Sequence, residues 1–89
     1  MVTALVLLET SRGKTNAVAE AVAALKGVTE VYSVAGRYDL AAIIRVKENE
    51  QLAAVVTEQI RKIEGIERSE TLIAFRAYSR YDLEAVFSA

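Results

Sequence analysis

The sequence predicts an α+β domain whose elements follow the order β-α-β-β-α-β, and three observations carry that prediction. Apolar runs rich in Val, Ile and Leu, too short for typical helices, recur along the chain. Two intervening stretches instead space their apolar residues by three and four, as a core-facing helix does. Each of those stretches ends on a glycine followed by an apolar residue, Gly27-Val28 and Gly65-Ile66, as expected of a βαβ unit written twice.

The first strand is read over residues 2–10. Val6 and Leu8 alternate with Leu5 and Leu7, so both faces of this strand are apolar. Ser11-Arg12-Gly13-Lys14 is a loop. Thr15 or Asn16 can cap a helix running to about Lys26, with Val18, Ala21, Val22 and Leu25 on its buried stripe. Residues 28–35 and 39–46 form a hairpin, and Gly36-Arg37 between them suits a tight type II′ turn with glycine first. A second helix, capped by Asn49, places Leu52, Val55, Val56, Ile60 and Ile63 on one stripe and closes at Gly65. The last strand is expected over 66–78, which makes residues 1–78 one domain and 79–89 a tail packing on the same or a neighbouring subunit.

Strands and helices in this order build a ferredoxin-like two-layer sandwich, with both helices on one side of a four-stranded antiparallel sheet. The other side carries apolar residues of the first and third strands and must be covered. A second copy of the same sheet is the simplest cover, and a chain that is 53% hydrophobic at 89 residues has apolar surface to spare for it.

Composition removes several classes of function. The chain has no Cys and no His, which rules out thiolate or imidazole metal sites, imidazole bases and serine–histidine relays. No metal and no cofactor is expected. The 11 basic and 12 acidic residues are interspersed, without the basic stripe that nucleic-acid binding relies on. The third strand, DLAAIIRV, lacks the aromatics of an RNA-stacking sheet. The apolar run at the N-terminus stops at Glu9, short of membrane-spanning length, so a soluble cytoplasmic protein is expected.

The residues with chemistry to offer gather in two places. Gly36, Arg37, Tyr38 and Asp39 combine an approachable backbone with a guanidinium, a phenol and a carboxylate. Asp39 could receive an α-ammonium group and the amides of the tip an α-carboxylate, or Asp39 simply stabilises the turn while Tyr38 packs on a rim. Ser69 and Thr71 share one face of the last strand, where they either hold the polar end of a small molecule or bond along a wet edge. The glutamates of the second helix and the strand after it read as a solvated face.

Taken together, VYSVAGRYDLAAIIRV, NEQLAAVVTEQIRKIEGI and ERSETLIAF resemble the effector-binding (RAM) domain of the leucine-responsive regulator (Lrp)/AsnC family. The V-x-G-x-Y-D pattern at Val34 to Asp39, followed by G-[IV]-x-x-[ST]-x-T at Gly65 to Thr71, carries the likeness, which extends from Val2 to about Tyr78. It implies a non-enzymatic module that binds an amino acid or related metabolite through Gly36, Arg37, Tyr38, Asp39, Ser69 and Thr71. It further implies a homodimer, higher ring-like oligomers and, since no helix-turn-helix segment precedes the first strand, a stand-alone partner for a full-length Lrp/AsnC regulator with no direct contact to DNA. On this view Asp39→Ala weakens ligand binding and leaves the fold intact. The rival readings are a ferredoxin-like dimeric enzyme of the cofactor-independent monooxygenase or isomerase kind, an amino-acid-binding domain of the ACT type, and an oligomer that binds nothing.

Overall fold

The computed structural model describes residues 1–78 and Arg80. Its elements are β1 (Val2–Thr10), α1 (Thr15–Ala23), β2 (Val28–Ser33), β3 (Leu40–Val46), α2 (49–62) and β4 (Ile66–Ile73). The strands form one sheet in the order β2-β3-β1-β4, and every neighbouring pair is antiparallel. This is the ferredoxin-like arrangement read from the sequence.

Alternation along the two central strands divides the sheet into two faces. Ala4, Val6 and Leu8 of β1 pair with Ile44, Ala42 and Leu40 of β3, and all six are sealed from solvent beneath the helices. Val18 and Val22 of α1 and Leu52, Val55 and Ile60 of α2 complete the core. Among the described residues no layer covers the opposite face. There Leu5 lies between Ile43 and Leu72, and Leu7 between Ala41 and Glu70, with Tyr32 beside Ala41.

The helices differ from their expected outlines in instructive ways. α1 stops at Ala23 rather than near Lys26, and its cap position is held by Lys14 without a side-chain bond. Thr15, expected as a cap, instead meets the Thr10 hydroxyl at 2.6 Å. At the start of α2 the extended residue is Glu48, not Asn49, and Gln51 Oε1 accepts from the amides of both Lys47 and Glu48 at 2.9 Å. That bond satisfies donors that the first helical turn leaves orphaned. α2 is α-helical only over Asn49–Ala53; it widens to a π-helical turn over Ala54–Gln59 and tightens to 3₁₀ geometry over Ile60–Lys62. In the wide turn Thr57 Oγ1 donates to Ala53 O at 2.6 Å, and the five-residue step brings both Val55 and Ile60 inward.

Strand boundaries also move: β2 ends at Ser33 rather than Ala35, and β3 begins at Leu40 rather than Asp39. β4 ends at Ile73 instead of Tyr78: Ala74 N still donates to Thr3 O at 2.9 Å, after which the chain runs into solvent with Phe75 99% exposed. The β1–β4 pairing begins at Ala4 opposite Ile73. Of the tail 79–89, only Arg80 lies within the described residues.

Candidate ligand-binding site

The connection between β2 and β3 is not a two-residue turn. Val34 N donates to Asp39 O at 3.0 Å, which leaves residues 35–38 as the loop, and Gly36 sits at φ 138° where an L side chain is strained. The residue that follows the loop is bound to β1. Asp39 N donates to Leu8 O at 2.8 Å, and Asp39 Oδ2 accepts from Thr10 N at 2.8 Å and from Thr10 Oγ1 at 3.1 Å. The Thr10 amide points to the β3 edge, beyond the last β1–β3 pair of Leu8 and Leu40, so it lies past the end of that ladder and needs an acceptor. Asp39 supplies it.

Tyr38 turns the other way, onto the uncovered face of β4. Its hydroxyl donates to Glu70 Oε1 at 2.8 Å, and the Arg68 guanidinium stands 5.4 Å from the ring centroid. Arg68 also approaches Glu9 Oε2 at 3.5 Å. The bond to the Glu70 carboxylate raises the Tyr38 phenol above its ordinary value, with smaller contributions from burial and from the negative charge of Glu70. Arg37 is exposed, and a side chain built on Gly36 would meet nothing within 4 Å. The tip is therefore open to an approaching molecule.

Ser69 and Thr71 point to the opposite side. They pair with Leu8 and Val6, whose side chains are in the core, so both hydroxyls lie on the helical side of β4 against α2. Thr71 lines a shallow groove of about 430 Å³ with Leu52, Val56, Ile73 and Phe75. Ser69 lines a smaller one of about 250 Å³ with Thr57, Ile60 and Arg61, and Val56 borders both. The six predicted residues are thus not gathered into one pocket within a chain. Tyr38 meets Arg68 and Glu70 on one face, Asp39 is bound to Thr10, and the two hydroxyls occupy the other face.

Arg68, Glu70 and Thr10 escaped the sequence reading. Arg68 and Glu70 alternate with Ser69 and Thr71 and had to face the other side of the sheet, so period two alone was a usable signal for them. Thr10 had none, because its role follows from where the β1–β3 pairing ends. Among the described residues no group of His, Cys, Asp or Glu side chains is placed to hold a metal ion, and no helix is long and apolar enough to cross a membrane.

Residues 3–83 match the model of the Lrp/AsnC ligand binding domain. The chain belongs to the Lrp/AsnC ligand-binding domain family. A relative of known crystal structure, TTHA0845 from Thermus thermophilus, is 52% identical with a TM-score of 0.85, over 90% of this chain and all of its own. An uncharacterised helix-turn-helix-type transcriptional regulator of Pyrococcus horikoshii is 36% identical over 58 residues, which are 65% of this chain and 39% of the regulator. The chain thus spans well under half the length of that regulator. A transcriptional regulator from Neisseria meningitidis, solved as a complex with L-Met, shares the fold alone: it is 10% identical with a TM-score of 0.78, over 89% of this chain and 53% of its own.

Proposed function

We propose that this ligand-binding domain senses an amino acid or related metabolite and couples its binding to the assembly of copies of the chain. The observation that carries the proposal is the division of the site residues. Gly36, Arg37, Tyr38 and Asp39 lie in one loop, while Ser69 and Thr71 lie on the far side of β4. A single ligand reaches both sets where copies of the chain meet. The Neisseria regulator bound to L-Met supports an amino acid as the class of ligand.

Assembly has its own physical motive. Leu5, Leu7, Ala41 and Ile43 form an apolar strip across the two central strands, flanked by Leu72 at 44% and Tyr32 at 50% exposure. Sheet-on-sheet pairing of two copies removes that strip from water and yields a homodimer. Dimers then join into ring-like oligomers, and a ligand held between dimers stabilises the ring by its differential affinity for the assembled state. The output is transcriptional, through co-assembly with a full-length Lrp/AsnC regulator. Mixing the two and finding no hetero-oligomer would refute that last step.

Thermal unfolding of the protein in the presence of each of the twenty amino acids, with the oligomer mass recorded alongside, tests the core of the proposal. A ligand at 100 times its dissociation constant adds about 2.7 kcal/mol per site, a shift readily seen in a domain of this size. One amino acid raising the midpoint and the mass together is the expected result. No response to any of them would leave assembly without amino-acid sensing.

A further inference from the structure

A wide concavity lies at the end of the domain remote from the 34–39 loop. β3 runs from Leu40, next to that loop, to Val46, so the two places are separated by roughly 20 Å of strand. Here α1 has already stopped and α2 is only beginning, and a groove of about 730 Å³ remains between them. That volume lies within the range of small-molecule sites. None of the six candidate residues of the sensing site borders it.

Its lining has a definite chemistry. Leu25, Val46, Ala54 and Val55 make an apolar wall, and Lys26, Lys47 and Gln51 supply polar groups over it. Gln51 Oε1 is already committed to the amides of Lys47 and Glu48, so the amide has only its Nε2 donors left to offer. The two lysines are exposed, and among the described residues neither is in an ion pair. A third cation of the lining, Arg45, is engaged by Glu30 at 3.5 Å and Thr29 at 3.0 Å. Among the described residues no carboxylate borders the groove, although acidic residues outnumber basic ones in the chain, and Gln59 also lines it with a side-chain amide that can both donate and accept. Cationic donors without a competing carboxylate, placed beside an apolar wall, select an anion that carries an apolar body.

We infer that this groove is a second binding site, for a small organic anion whose carboxylate or phosphate group meets Lys26, Lys47 and the Gln51 amide while its apolar part lies on Leu25, Val46 and Val55. The site is independent of the sensing loop and stands whether or not that loop binds an amino acid.

Calorimetric titration of the full chain with phenyl phosphate tests it, with inorganic phosphate and benzylamine as comparison probes. Phenyl phosphate is expected to bind, inorganic phosphate to bind more weakly for want of the apolar body, and benzylamine not to bind. Lys26→Met and Lys47→Met keep the aliphatic stem and remove the charge; each is expected to weaken phenyl phosphate by about tenfold. Arg12→Met, a charge loss in the loop after β1, is expected to leave the affinity unchanged. Circular dichroism of each variant establishes that the fold is retained, as the exposure of these lysines leads one to expect. Absence of phenyl phosphate binding, equal affinity for inorganic phosphate, or undiminished affinity in both lysine variants would overturn the assignment.

Discussion

Asp39, one of the proposed site residues, is also a brace. Its carboxylate is the acceptor for a Thr10 amide that lies past the last β1–β3 pair, so Asp39→Ala leaves a partly buried donor unsatisfied. The expected cost is about 1–3 kcal/mol in urea unfolding, against the intact fold anticipated from the sequence. A midpoint equal to that of the natural sequence would show that water replaces the carboxylate. Tyr38 gives a second prediction at this scale. The Glu70 carboxylate raises the phenol of the folded state above its unfolded value of 10.0. Stability from this contact is therefore present below that pH and is lost as pH rises through the folded-state pKa. Glu70→Gln is expected to bring the ionisation of Tyr38 back down, read as the difference between its ultraviolet titration and that of the same variant carrying Tyr38→Phe.

Elements are joined here by glycines whose surroundings set their tolerance. Gly65 closes α2 at φ 97°, and a Cβ there would lie 3.0 Å from both Lys14 Cβ and Val18 Cγ2 of the neighbouring helix. Gly36 is equally committed to positive φ, yet faces open space. Alanine at either position costs about 1–2 kcal/mol for the backbone. Gly65→Ala adds displacement of α1, because Ser11 N, just ahead of that helix, donates to Gly65 O at 2.7 Å. Thermal unfolding is expected to rank Gly65→Ala clearly below Gly36→Ala, and equal midpoints would mean that α1 moves aside freely. The wide turn of α2 belongs to this scale as well. It was illegible in the sequence because Leu52, Val56, Ile60 and Ile63 also fit an unbroken α-helix, and only packing on the sheet favours the extra turn width.

For the whole molecule the governing feature is the sheet with one face covered. A charge placed at its centre tests the assembly proposal without touching the core, since Ile43 lies opposite Leu5 on the face away from the helices. Ile43→Glu is expected to halve the solution mass of a homodimer while preserving the far-ultraviolet circular dichroism, because burying an unpaired carboxylate between two sheets is prohibitive. An unchanged mass would place the contact between copies elsewhere. Ring formation and its ligand dependence would fall with the dimer, so this variant is also expected to abolish any rise in mass on adding an amino acid.

Element order, strand polarity and most of the core were determined by the sequence, because period two and the helical spacing report which side chains leave water, and burial of those side chains dominates the folding free energy. Ala21, expected on the buried stripe of α1, is exposed. The candidate loop and the two hydroxyls were legible as motifs. Their relation to one another was decided only in three dimensions. Ser69 and Glu70 are adjacent in the chain but point to opposite faces, and the pairing of β4 with β1 determines which of them meets Tyr38. Asp39 finds Thr10 across 29 residues because the β1–β3 pairing stops at Leu8 and Leu40, an end point that no local propensity encodes. Long-range hydrogen bonds of this kind depend on where strands pair and slip, and that is a property of the assembled sheet.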